Sequence, residues 1–100
     1  MLGKINLNVI TDLTKLPQKP ASAMSVIEKL GKPESGKPFT GASYNVLMYI
    51  GDQTVRGTNY WFEAEQTLTT RDFDKHLVLI AVNEFEGEFE IVKSSIVRII

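Results

Sequence analysis

Residues 42–66 read ASYNVLMYIGDQTVRGTNYWFEAEQ, and their period decides the fold class. Tyr44, Val46, Met48 and Ile50 alternate with Asn45, Leu47 and Tyr49, the period of a strand whose successive side chains point to opposite faces. Gly51 and Asp52 break that pattern. From Thr58 to Gln66 it resumes, with Tyr60, Phe62 and Ala64 opposite Asn59, Trp61, Glu63 and Glu65. Tyr60 and Phe62 are expected in the core, and Trp61 on the outer face. Between the two runs stands Gln53-Thr54-Val55-Arg56-Gly57, so the stretch predicts two strands joined by a hairpin.

Downstream, His76–Asn83 is a third strand, apolar on both parities: Leu77, Leu79 and Ala81 against Val78, Ile80 and Val82. Such a strand belongs inside a sheet, covered on both sides. A polar loop over 67–74 precedes it, and a final strand runs to Ile100. Upstream, Ala21–Leu30 carries Ala23, Val26, Ile27 and Leu30 at i, i+3, i+4 and i+7, the stripe a helix turns to a core. Pro20 suits a first helical turn and Ser22 a cap. Gly31 and Pro33 end the helix, and Pro33, Gly36, Pro38 and Gly41 make the next stretch an irregular lead-in. Residues 1–17 form an N-terminal arm or strand, with Ile5, Leu7 and Val9 on one parity. The order predicts an α+β fold: an antiparallel β-sheet of four to five strands with one helix on its face.

One hundred residues make one domain, 1–100, and the composition, 43% hydrophobic and 23% charged, is that of a packed globule. Eleven basic residues against twelve acidic ones give a net charge of −1, which supplies no field for a phosphate backbone or an anionic membrane. Nucleic acid and membranes are therefore not expected partners. No run approaches the ~20 apolar residues of a membrane span. The chain has no cysteine, which removes disulfides, thiolate zinc sites and thiol nucleophiles. Asn6, Asn8 and Asp12 interrupt the N-terminal apolar residues, unlike a secretory signal. The cytoplasm is the expected compartment, with a processed secreted form as the alternative.

The QTVRG segment carries the functional reading. A tight hairpin tip held by its flanking strands enters a cleft at little ordering cost. Gly57 supplies backbone freedom that a residue with a Cβ lacks. Val55 sets an apolar side chain at the tip, and Gln53 is able to hydrogen-bond back across the turn. A plain turn whose apolar member packs locally is the competing explanation. QTVRG fits the QxVxG signature of the cystatins, and the GTNY immediately after it resembles the continuation of that motif in the stefin branch. The order of elements and the position of Pro20 add to the likeness, which spans roughly residues 20–100. A single domain without cysteines is also what the stefin branch looks like.

The resemblance implies a cystatin-like sheet wrapped on the helix and a reversible, competitive inhibitor of papain-like cysteine peptidases, not an enzyme, without cofactor or metal. In that family an N-terminal segment with a glycine, the QxVxG hairpin and a second hairpin form an apolar wedge that occludes the catalytic cleft. Carried over, Gln53, Thr54, Val55, Arg56 and Gly57 form the first hairpin. Phe85, Glu86 and Gly87 fall in the second, where cystatins usually carry a Pro-Trp or Leu-Pro pair. Glu86-Gly87 suits a two-residue turn and Phe85 an apolar contact. The alternation of Glu84, Glu86, Glu88 and Glu90 with Phe85, Phe89 and Ile91 equally describes an edge ribbon with its carboxylates in water. Gly3 is the N-terminal candidate, although it lies further before the helix than the family spacing implies. Val55→Asp and Gly57→Trp are both expected to weaken inhibition with little loss of stability. A monomer is expected, with a domain-swapped dimer through the taut hairpin as a second state.

The alternative is a cystatin-fold binding or assembly module that keeps the scaffold and lacks inhibitory activity. Enzyme chemistry finds no purchase. His76 is the single histidine and has no metal-ligand partner at standard spacing. There is no GxSxG elbow, P-loop or GxGxxG. The carboxylate pairs Glu63/Glu65 and Asp72/Asp74 lie in polar surroundings and read as solvated faces.

Overall fold

Five strands, β1 (Ile5–Ile10), β2 (Ala42–Val55), β3 (Gly57–Leu68), β4 (Lys75–Phe85) and β5 (Glu88–Arg98), form one antiparallel sheet in chain order. One helix, α1 (Gln18–Glu28), lies against a face of it and touches β2, β3, β4 and β5, an α+β arrangement. The computed structural model describes residues 3–30, 41–68 and 74–100. The lead-in read over 31–40, most of the polar loop before β4, and Asp72 lie outside the described residues. Among the described residues no helix is long and apolar enough to cross a membrane.

The helical stripe packs as its spacing requires. Ala23 and Ile27 are fully buried, and Val26 and Leu30 rest against the same cluster. The helix begins three residues earlier than its apolar period suggests, with Pro17 at the cap position and no side-chain cap bond; Ser22 lies inside it. Pro20 is buried in the first turn, where a missing N–H costs nothing. A short 3-10 turn, Leu13–Lys15, links β1 to the helix and is capped by Asp12, whose carboxylate accepts from the Thr14 N–H.

Tyr60, Phe62 and Ala64 of β3 and Val78, Ile80 and Val82 of β4 alternate into this cluster. Tyr49 packs on Phe62 with ring centroids 5.3 Å apart and the rings tilted by 59°. Burial pushes the Tyr49 hydroxyl up to about 12, with smaller contributions from Asp52 and Tyr60. Expulsion of water from a side chain such as Phe62 contributes about 1.5–3 kcal/mol.

Strand β2 departs from a simple alternation. It runs unbroken through Gly51 and Asp52, with register shifts between Val46 and Met48 and between Tyr49 and Gly51. Each shift adds a residue opposite one partner, so the core face passes from Val46 to Tyr49 rather than to Met48 and Ile50. Leu47 is consequently 39% exposed. A larger irregularity in β5 opposes Leu79 and Ala81 with Val97 and Val92. There the Ser95 hydroxyl accepts from the Ala81 N–H at 2.8 Å and donates to the Val92 carbonyl.

Pairing aligns Leu7, Gly51, Trp61, Ala81 and Val92 in one row across the sheet. The next row holds Ile5, Gln53, Asn59, Asn83 and Glu90. Both rows fall on the face opposite Tyr60 and Phe62, away from the helix. The apolar parity of β1 is thus turned outward, and Ile5, Leu7 and Val9 are exposed.

Candidate functional site

The register brings three segments to one end of the sheet. The last residues of β2 and the first of β3 make the first hairpin, with Val55 opposite Gly57 and Arg56 alone at the turn. Thr58, just inside that hairpin, pairs with Glu84, the penultimate residue of β4, so the β4–β5 turn stands beside it. On the other side Ile5 pairs with Gln53, and the Gly3 N–H donates to the Thr54 carbonyl at 2.9 Å. Gly3 and residues 85–88 therefore flank residues 53–57 on opposite sides at one end of the sheet.

Within the first hairpin, Arg56 and Thr54 are exposed and Val55 is half-buried. Gly57 has φ +81°, a left-handed conformation. A Cβ there would run into the Glu84 carbonyl oxygen and crowd the Phe85 Cβ. The glycine is thus what allows the second hairpin to lie against the first, and the expectation that Gly57→Trp would spare stability is overturned.

The second hairpin turns through Glu86 and Gly87, both at positive φ, as a two-residue turn requires. Its phenyl rings do not share a face. Phe89 packs toward the helix-side core, whereas Phe85 meets Arg56, whose guanidinium carbon lies 5.0 Å from the ring centroid. Asn83 ties the same corner, donating at 3.0 Å both to the Arg56 carbonyl and to Asn59 Oδ1.

Glu84 does not behave as part of a solvated ribbon. It is 9% exposed and opposes Phe89 on the helix side. One carboxylate oxygen accepts from the Gly87 N–H at 3.0 Å and the other from Lys19 Nζ at 3.2 Å. The Gly87 N–H first, then Lys19, hold its carboxyl below the usual carboxylate range. Lys19 belongs to α1, so this pair fastens the second hairpin to the helix. Glu86, Glu88 and Glu90 are the exposed carboxylates of the ribbon.

At the opposite flank, Gln53 makes two side-chain bonds on the outer face. Its Oε1 accepts from Trp61 Nε1 at 3.0 Å, and its Nε2 donates to the Gly3 carbonyl at 2.9 Å. Trp61, Asn83 and the Lys19–Glu84 pair belong to the site's framework and escape a motif reading. Parity does set Gln53 and Trp61 on one face once the hairpin is known. No signal in the sequence links Lys19 to a carboxylate 65 residues away.

His76 is half-buried near the start of β4, and Glu65 lies 3.7 Å from Lys75, both at the far end of the sheet. Among the described residues no three His, Cys, Asp or Glu side chains gather as a metal set. No family model, curated protein or solved structure matches the chain.

Proposed function

We propose that this chain is a reversible, competitive inhibitor of papain-like cysteine peptidases, with the sheet wrapped on the helix in the cystatin manner. The supporting observation is the meeting of Gly3, QTVRG and Phe85–Glu88 at one end of the sheet. Three chain segments that arrive from different directions form a continuous ridge there. Gln53, Thr54, Val55, Arg56 and Gly57 form its centre, with Val55 and the Arg56 turn entering the cleft. Phe85, Glu86 and Gly87 line one side and Gly3 the other. The ridge fills the cleft without offering a scissile bond in a productive pose, so no bond is made or broken. The cytoplasm is the setting of this reading.

The test is titration of papain, calibrated for active sites, with the full chain. Reversible inhibition that rising substrate relieves is expected. Absence of inhibition at micromolar protein would overturn the proposal. One observation favours a second reading, a scaffold that binds another partner and does not inhibit: the Phe85 ring is covered by Arg56, which reduces the apolar surface open to an enzyme. The same titration separates the two.

A further inference from the structure

The indole of Trp61, the Gln53 amide and the Gly3 backbone form a continuous relay of hydrogen bonds. Trp61 Nε1 donates to Gln53 Oε1 at 3.0 Å, Gln53 Nε2 donates to the Gly3 carbonyl at 2.9 Å, and the Gly3 N–H returns to the Thr54 carbonyl at 2.9 Å. A carboxamide has one acceptor and one donor end, and here each is used once. The indole can only donate, so it fixes which end of the amide faces Gly3. Trp61 is itself set in the middle strand of the sheet between Gly51 and Ala81.

The fit at Gly3 is close. A Cβ added there would lie 2.5 Å from the Thr54 carbonyl oxygen, backbone that does not yield as a flexible side chain does. Glycine at this position is what lets the N-terminal segment lie so close to the first hairpin, where the Gln53 amide also donates to it.

We propose that Gln53 is a positioning residue, a clasp oriented by Trp61 that holds the N-terminal segment against the first hairpin. Its peptidase consequence rests on the inhibitory reading: docking before encounter removes the ordering cost of one third of the ridge. Gln53 then acts on affinity through Gly3, whether or not it touches an enzyme itself.

Two substitutions separate the ends of the amide. Gln53→Glu keeps an acceptor for the indole and loses the donor to Gly3. Gln53→Met, close in shape, loses both. Nuclear magnetic resonance of the full chain reads the clasp without any peptidase. The expected result is release of Gly3 and Lys4 on the nanosecond scale in both variants, seen as a fall in their heteronuclear Overhauser effects. The Trp61 Nε1–H resonance should stay near its native position in Gln53→Glu and move upfield in Gln53→Met. Gly3 as rigid in both variants as in the native chain would overturn the proposal.

Against papain, Gln53→Met and Gly3→Val should each weaken inhibition by about three- to tenfold, the equivalent of one net hydrogen bond. Their combination should weaken it little further, because both release one segment. Full additivity would overturn the route through Gly3. Failure of the native chain to inhibit, with Gly3 still freed in the variants, would remove the inhibitory reading and leave the clasp standing.

Discussion

Val55 and Gly57 face one another across the first hairpin yet answer to different demands. Val55 closes β2 half-exposed, outside the buried cluster. Val55→Asp should therefore weaken inhibition at least about tenfold, the mark of a central contact, while the unfolding midpoint moves by no more than a few degrees. Enzyme titration and thermal melts measure the two effects separately. Gly57→Ala should cost about 1–3 kcal/mol, because it strains a left-handed backbone and pushes on the Glu84 carbonyl. Chemical denaturation measures that loss. Glu84 adds a pH dependence. Its carboxyl is held low in the fold, so its contribution is complete above the ordinary carboxylate range and is lost as pH falls through the folded value. Melting Glu84→Gln and the native chain across acidic pH should show a native advantage near neutrality that shrinks on acidification. Lys19 is largely exposed, which keeps the ion-pair share of that advantage small.

At the scale of elements, the irregularity in β5 depends on one hydroxyl. Ser95→Ala leaves the Ala81 N–H buried without its partner, and should cost about 1–3 kcal/mol by denaturant unfolding. The β2 irregularities mark where the sequence stops being legible. Alternation in Tyr60, Phe62 and Ala64 reads directly as a buried face because nothing interrupts the period. Adding Leu47 to one strand and not to its partner moves Met48 and Tyr49 to the opposite faces, the second shift after Tyr49 restores the parity, and no composition signal announces either. The helix is legible from Ala23, Val26, Ile27 and Leu30, but its start is not, since the burial of Pro20 depends on the rest of the fold. The site divides likewise. QTVRG and the Glu86-Gly87 turn carry local signatures, whereas the seating of Gly3 on Thr54 and the Lys19–Glu84 pair exist only after distant segments meet.

For the molecule as a whole, the hinge between its two halves is one residue, Arg56, at the turn of a hairpin of long strands. If that turn opens, β2 and β3 join into one extended run, and two chains are able to exchange halves with every ladder pair restored. Size-exclusion chromatography after partial unfolding and refolding at high concentration should reveal a dimer that returns slowly to monomer on dilution. Only monomer under those conditions would argue against the exchange.

Strand order that tracks chain order also sets a sequence of events. The β2–β3 and β4–β5 ladders close over turns of one or two residues, whereas β1 meets β2 across a separation of 46 residues at Asn6 and Asp52. Closing that loop costs more chain entropy and returns contacts with one neighbour only. In pulsed hydrogen exchange during refolding, amides of β3 and β4 should gain protection before those of β1. The N-terminal segment is thus a late arrival and an early departure, seated on a first hairpin that is already rigid when it lands.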